Sequence, residues 1–235
     1  ANGFVFTFVG NIAPETLKPL AEKYIGSIPA ARKPLNYVDD KVEPVKGEVA
    51  EEFTAPMQQR KVSVVYYFSG KMPFTFKDKV ALTFLTQALD SRYLISIREE
   101  KGGTYGVNVQ GSTEYIPRET YDMTISFDTN EEMADELCEI VMKEIEEIAA
   151  NGPRSEDIEK TREFMLKSWK NSLEMNSGWM NYIQAKYGSG LDYVGQYEQA
   201  VRNLTNADVQ ALAKKLLADG NLVKVIMRPA KEKEK

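Results

Sequence analysis

The sequence predicts an α+β fold, a largely antiparallel sheet with helices packed on one face. Three observations predict it. Pairs of strand-like segments alternate with segments of helical period. Residues 120–128 alternate strictly, with Tyr121, Met123, Ile125 and Phe127 on one side and Asp122, Thr124 and Ser126 on the other, as in a sheet with one wet face. Residues 61–68, KVSVVYYF, are apolar on both faces and are expected in the middle of the sheet.

The first expected strand is FVFTFV, Phe4 to Val9, ended by Gly10-Asn11. If its own sheet belongs to another domain, it should pair with this domain's sheet or with a neighbouring molecule, because open strand edges recruit partners. Pro14 opens a helix to about Tyr24, with Leu17, Leu20, Ala21 and Tyr24 on its apolar face. Residues 26–47 hold three prolines and two glycines without a period and read as a linker or crossing segment.

Strands are expected over 48–54 and 61–68, joined by a turn around Pro56. Thr75 with Asp78 forms a capping-box pattern, and the helix it opens runs to about Glu99. Gly102-Gly103 stops that helix, and a strand follows over Thr104–Ser112. A turn with Pro117 leads to the strand over 120–128. Thr129 with Glu132 is expected to cap the next helix, whose stripe is Met133, Leu137, Ile140, Val141, Ile145 and Ile148. Asn151-Gly152-Pro153 stops it, and Ser155 is expected to cap a helix that buries Ile158, Met165, Trp169 and Leu173. A less regular helical stretch covers 177–202, broken near Gly188-Ser189-Gly190. Thr205 and Asp208 cap the last helix, which ends at Gly220, and a strand over Leu222–Met227 closes the core. The tail KEKEK is solvated.

The 235 residues are 43% hydrophobic and 28% charged, enough for a buried core. The net charge is −5 and the positive charge is scattered, so no nucleic-acid surface is expected. No apolar run reaches the roughly 18 residues that span a bilayer. The opening ANGFVFTFVG lacks a charged leader region and a cleavage signature, and the chain reads as a fragment or processed product.

There is no histidine and one cysteine, Cys138, which lies among apolar helix positions and reads as buried and inert. Ser-His and Cys-His nucleophile systems are thereby excluded. An independent zinc site is not expected either, since such sites nearly always use His or Cys. The acidic run Glu144, Glu146, Glu147 reads as a helix surface, and Met165, Met175 and Met180 as packing.

The chemistry concentrates at one corner, DSRYLISIREEKGGTYGVNVQG, residues 90–111. It reads as a helix end, a two-glycine turn and a strand start, with Arg98 before the turn and Tyr105 after it. The residues alone leave plain readings open: a cation in the last helical turn complements the helix dipole, and a strand Tyr is commonly a core aromatic. Thr104, Asn108 and Gln110 share one strand face, suited to peptide contact or to solvent. Glu99, Glu100 and Lys101 read as a solvated helix end.

IREEKGGTYGV, with Arg seven residues before Tyr, resembles the R/Y motif of the M16 metallopeptidases, the relatives of pitrilysin, insulin-degrading enzyme and mitochondrial processing peptidase. FTFVGNIAPETLKPLAEKYIGSIP, ANGPRSEDIEKTREFM and LTNADVQALAKKLLADGNLVKVIMRP also resemble family segments, in the same order, so the likeness covers about residues 3–229. It implies an M16 (LuxS/MPP-like) metallohydrolase domain of the C-terminal, non-zinc kind, since the family's H-x-x-E-H motif is absent. Residues 1–30 would be a strand and helix of the preceding domain or interdomain region, 31–47 a linker, 48–229 the domain and 230–235 a charged tail.

The resemblance further implies that Arg98 and Tyr105 support substrate and transition-state binding, with Asn108 a further substrate contact. The chain would have no metal of its own; zinc would sit in the catalytic half of the full protein. The implied partners are a peptide or protein substrate and an N-terminal zinc-binding half, in the same chain or a partner subunit. Nucleic acid and a membrane segment are not implied. The implied compartment is the bacterial cell envelope (periplasm). Two other readings stay open: a non-catalytic subunit that scaffolds or presents substrate in a heterodimer, and an unrelated α+β binding module.

Overall fold

Val62, Val64, Tyr66 and Phe68 are buried along one strand, and that strand is the middle of the sheet. The computed structural model describes residues 3–30, 37–99, 101, 104 and 106–230. Within them one sheet holds β1 (Glu48–Ala55), β2 (Val62–Lys71), β3 (Val107–Glu114), β4 (Thr120–Thr129) and β5 (Leu222–Pro229), in the order β1-β5-β2-β4-β3. The β2–β4, β2–β5 and β3–β4 pairings are antiparallel, and β1–β5 is parallel. The largely antiparallel sheet and its apolar centre are as the sequence predicts.

β1 and β2 do not form the expected hairpin, because β5 from the far end of the chain lies between them. β1 carries Glu48, Glu51 and Glu52 and has no buried residue, which suits a charged outer edge. β5 brings Leu222, Val223, Val225 and Ile226 to the interior place.

The helices are α1 (Pro14–Tyr24), α2 (Phe76–Tyr93), α3 (Ala134–Asn151), α4 (Ser155–Ser172), α5 (Asn176–Ser189), α6 (Glu198–Asn203) and α7 (Asn206–Asp219). α2, α3 and α7 cover one face of the sheet, and α4 and α6 pack on α2. Val80, Phe84, Leu85, Ala88 and Leu89 of α2 meet Leu137, Val141, Ile145 and Ile148 of α3 and Val209 and Leu216 of α7 in one core. Each large side chain so buried contributes about 1.5–3 kcal/mol. Cys138 is buried, and the Tyr66 hydroxyl donates to its carbonyl at 3.1 Å.

The opposite face follows from the register. Ser63, Val65, Tyr67 and Ser69 of β2 point there, with Asp122, Thr124, Ser126 and Asp128 of β4 and Asn108, Gln110 and Ser112 of β3. No helix of those just described packs on it.

Several expectations are corrected. Phe4 to Val9 is not a strand and pairs with none of the described strands. Phe4 is 68% and Phe8 50% exposed, and a strand without a neighbour has no ladder to hold it. α1 forms where expected, but none of its residues is buried. Thr129 does not cap α3: it is the last residue of β4, paired with Val62, and the Asn130 side chain accepts from Met133 N at 2.9 Å instead. Ser155 is the first residue of α4 rather than its cap, and its hydroxyl accepts from Asn206 Nδ2 at 3.2 Å. Trp169 and Leu173 are half-buried, and Met175 is exposed. The helical stretch 177–202 divides at Gly190 into α5, a π-helical turn over Tyr193–Tyr197 and α6.

Residues 37–47 of the crossing segment have no regular structure and are tied to the body. Arg118 Nη1 donates to Asp39 Oδ2 at 2.6 Å and Nη2 to the Val42 carbonyl at 2.6 Å. Gly47 N donates to Asn221 Oδ1 at 2.9 Å, where β1 begins beside β5.

Candidate functional site

The corner starts from a helix end that is held firmly. The Tyr93 hydroxyl donates to the Val141 carbonyl at 2.9 Å, and Arg92 pairs with Glu144 at 2.8 Å. Both contacts fasten the end of α2 to α3. The backbone then widens into a π-helical turn over Leu94–Glu99, with Ile97 wholly buried. Such turns occur often at functional sites. Arg98, next after the anchored Ile97, is exposed, and among the described residues it makes no hydrogen bond or ion pair. Lys101 reaches Glu136 of α3 at 2.6 Å.

Tyr105 lies outside the described residues, with Glu100, Gly102 and Gly103. Its neighbours are described. The Thr104 hydroxyl donates to the Gly106 carbonyl at 3.1 Å and accepts from Gly106 N at 3.2 Å. That local pairing occupies backbone groups a strand would use, and β3 starts at Val107 rather than at Thr104. Asn108 is exposed on the helix-free face and accepts from Gln110 Nε2 at 3.5 Å. It stands in one row with Ser126 of β4 and Val65 of β2. Of the predicted site residues, Asn108 is thus placed on the helix-free face and Arg98 at the exposed helix end.

Beside this corner a cavity of about 310 Å³ opens, lined by Ser63, Val65, Thr104, Gly106, Ser126 and Asp128 among others. The Asp128 carboxylate accepts from Ser63 Oγ at 2.5 Å and from Lys61 Nζ at 2.6 Å. Partial burial works against its charge, but the Lys61 and Ser63 hydrogen bonds outweigh this and hold the carboxyl below its ordinary value. Sequence reasoning missed Ser63, Lys61 and Asp128. The alternation over 120–128 already set Ser126 on the wet face, but the apolar reading of 61–68 hid Ser63.

A larger cavity, about 650 Å³, lies at the other end of α2, between Thr75–Lys77 and α6. Most of its polar groups are already engaged: Thr75 caps α2, Lys77 pairs with Asp208 at 2.8 Å and Gln199 donates to Asn203 at 2.8 Å. We therefore place the candidate site at the corner.

Among the described residues no group of three or more His, Cys, Asp or Glu is disposed to hold a metal. The sole cysteine is buried beneath β2 and no histidine exists, so the described residues do not fit a zinc site. The arrangement offers a cation, hydroxyl and amide groups and one carboxylate, which can bind and orient a polar chain.

The fold is that of an M16-type peptidase domain. A family model described as the peptidase M16 inactive domain matches residues 1–165, and the chain belongs to the M16 peptidase family. A zinc protease PQQL-like protein of Arabidopsis thaliana is 27% identical over 203 residues, 79% of this chain and 21% of the relative. Among solved structures, the periplasmic protease PqqL of Escherichia coli superposes with a TM-score of 0.77 at 18% identity, over 94% of this chain and 25% of that one. The peptidase M16 inactive domain of Pseudomonas fluorescens gives 0.75 at 19% identity, over 96% of this chain and 54% of that one. The chain thus spans about a quarter or less of the two full-length proteases it resembles.

Proposed function

We propose that this chain is the substrate-binding, R/Y-containing C-terminal domain of a zinc endopeptidase and is inactive alone. The observation that carries the reading is the corner itself: an exposed Arg98 without a partner among the described residues, on a π-helical turn fastened to the core. A guanidinium that no described residue engages, set on a rigid base, is available to a ligand. The hydroxyl-lined cavity at Thr104 and Gly106 adds support.

In this reading Arg98 and Tyr105 hold the peptide backbone, and the phenol and guanidinium stabilise negative charge developing on the scissile carbonyl oxygen. Asn108 hydrogen-bonds the peptide beyond that point. Zinc belongs to the other half of the full protein, in the same chain or a partner subunit, and closure of the two halves brings the peptide against the corner. Residues 1–30 belong with the preceding domain or interdomain region, and the linker over 31–47, strapped to the body through Asp39, Val42 and Gly47, leads into the domain over 48–229. The compartment is the periplasm, by likeness to the periplasmic protease PqqL of Escherichia coli.

The test uses the full-length protein. Tyr105→Phe and Arg98→Ala should each lower kcat tens-fold or more, on the order of the loss of one oxyanion donor, with the fold intact by circular dichroism. Wild-type turnover in both variants would refute the assignment.

A further inference from the structure

We propose that the cavity formed by Ser63, Val65, Thr104, Ser126 and Asp128 is a side-chain subsite for a basic residue of the bound peptide. Asp128 would be its specificity determinant and Lys61 a built-in competitor at its rim. This rests on the reading of the corner as a peptide-binding site.

The lining carries the argument. Ser63 and Asp128 face each other across β2 and β4, and Ser126 follows one row further in, beside Asn108. The cavity is therefore continuous with the strand face that would receive the peptide. Thr104 and Gly106, on either side of Tyr105 in the chain, form its other wall. Of the described side chains lining it, Asp128 alone is charged. Its carboxylate accepts one bond at each oxygen, from Ser63 at 2.5 Å and Lys61 at 2.6 Å. A carboxylate has about four acceptor sites, so both oxygens keep capacity for a further donor. The Thr104 hydroxyl is engaged with Gly106, while Ser126 presents an oxygen able to accept. An entering ammonium or guanidinium meets these acceptors, and Val65 packs against its aliphatic stem.

Lys61 does not close the site. Its side chain is 44% exposed and that of Asp128 51%. Exposed ion pairs of this kind contribute little and exchange readily. The ammonium of Lys61 can turn to solvent while a substrate cation takes its place, or share the carboxylate with it. Either way Lys61 opposes the substrate's charge, so its removal should sharpen the preference for a basic residue.

The experiment measures peptide binding to the full-length protein in EDTA, which prevents cleavage. Fluorescein-labelled neutral decapeptides carry a single Lys or Gln at each position in turn, and Kd is read by anisotropy. The wild type should favour Lys over Gln at one position. Asp128→Asn should lower that ratio about tenfold, as expected for loss of a charge-assisted hydrogen bond. Lys61→Gln should raise it. A ratio unchanged in Asp128→Asn, or an equal loss for both peptides, overturns the subsite. Arg98→Ala separates the two levels, because it should weaken Lys and Gln peptides alike. If it weakens neither, or no peptide binds, the reading of the corner fails and the subsite with it.

Discussion

Thr205 and Asp208 close the start of α7 reciprocally. The Thr205 side chain accepts from Asp208 N at 3.2 Å, and Asp208 Oδ2 accepts from Thr205 N at 3.0 Å. Lys77 of α2 adds an ion pair to the same carboxylate at 2.8 Å, so one residue caps a helix and ties two helices together. Partial burial disfavours the charge on Asp208, but the Lys77 and Thr205 hydrogen bonds prevail and lower its pKa. Its folded pKa thus lies below the unfolded value, about 3.9 for an ordinary Asp. The stability it contributes is present above that value and is lost as pH falls through the lowered one. Asp208→Asn should destabilise the protein at neutral pH and flatten the loss of stability below about pH 4. Urea midpoints from pH 7 to 3 check this, and parallel curves would count against it. The same i, i+3 spacing was legible at Thr75–Asp78 and misleading at Thr129–Glu132. A box needs a residue whose backbone is free to turn, and Thr129 is still paired in β4, 6% exposed.

β3 and α2 approach closely where the sheet meets its cover. A Cβ placed on Gly111 would stand 2.8 Å from Leu82 Cγ and 3.1 Å from both its methyl carbons. Leu82 is itself buried, so neither side can yield freely. Gly111→Ala should therefore cost about 1–3 kcal/mol, the range for overpacking a tight core. At Gly106 a Cβ would meet no described residue within 4 Å, so Gly106→Ala serves as a control with little change in the thermal midpoint. Equal midpoints for the two variants would show that the approach is not tight. These contacts also show what a sequence can carry between elements. Strands, long helices and the wet face of β4 follow from local period and were legible. The place of β5 between β1 and β2 was not, because it joins segments 174 residues apart, as Gly47 and Asn221 show. The π-helical turn before the corner has no residue signature: LISIRE continues the helical period of α2. The place of Arg98 at a helix end was legible, while Asp128 and Ser63 become neighbours only through the register of β2 and β4.

The sheet, its helical cover and the strap over 37–47 make one body, to which residues 3–30 add no buried side chain. α1 buries no residue, and Val5 and Tyr24 are 66% and 64% exposed. Val9, Leu17, Ala21 and Ile25 are only half-buried, so the stretch contributes little to the fold beside it, since the hydrophobic gain scales with area removed from water. The strap is different: Arg118 grips it through Asp39 and Val42, and Gly47 leads directly into β1. The boundary of the folding unit should therefore lie ahead of the strap. Removing residues 1–30 should leave the stability of the remainder within about 0.5 kcal/mol, the scale of changes away from buried contacts. Removing residues 1–46 should destabilise it further, because both carboxylate and carbonyl partners of Arg118 go with the strap. Thermal unfolding of the two truncated chains against the whole one tests the order. A large loss on the first cut would mean that the leading segment is part of the domain's own core.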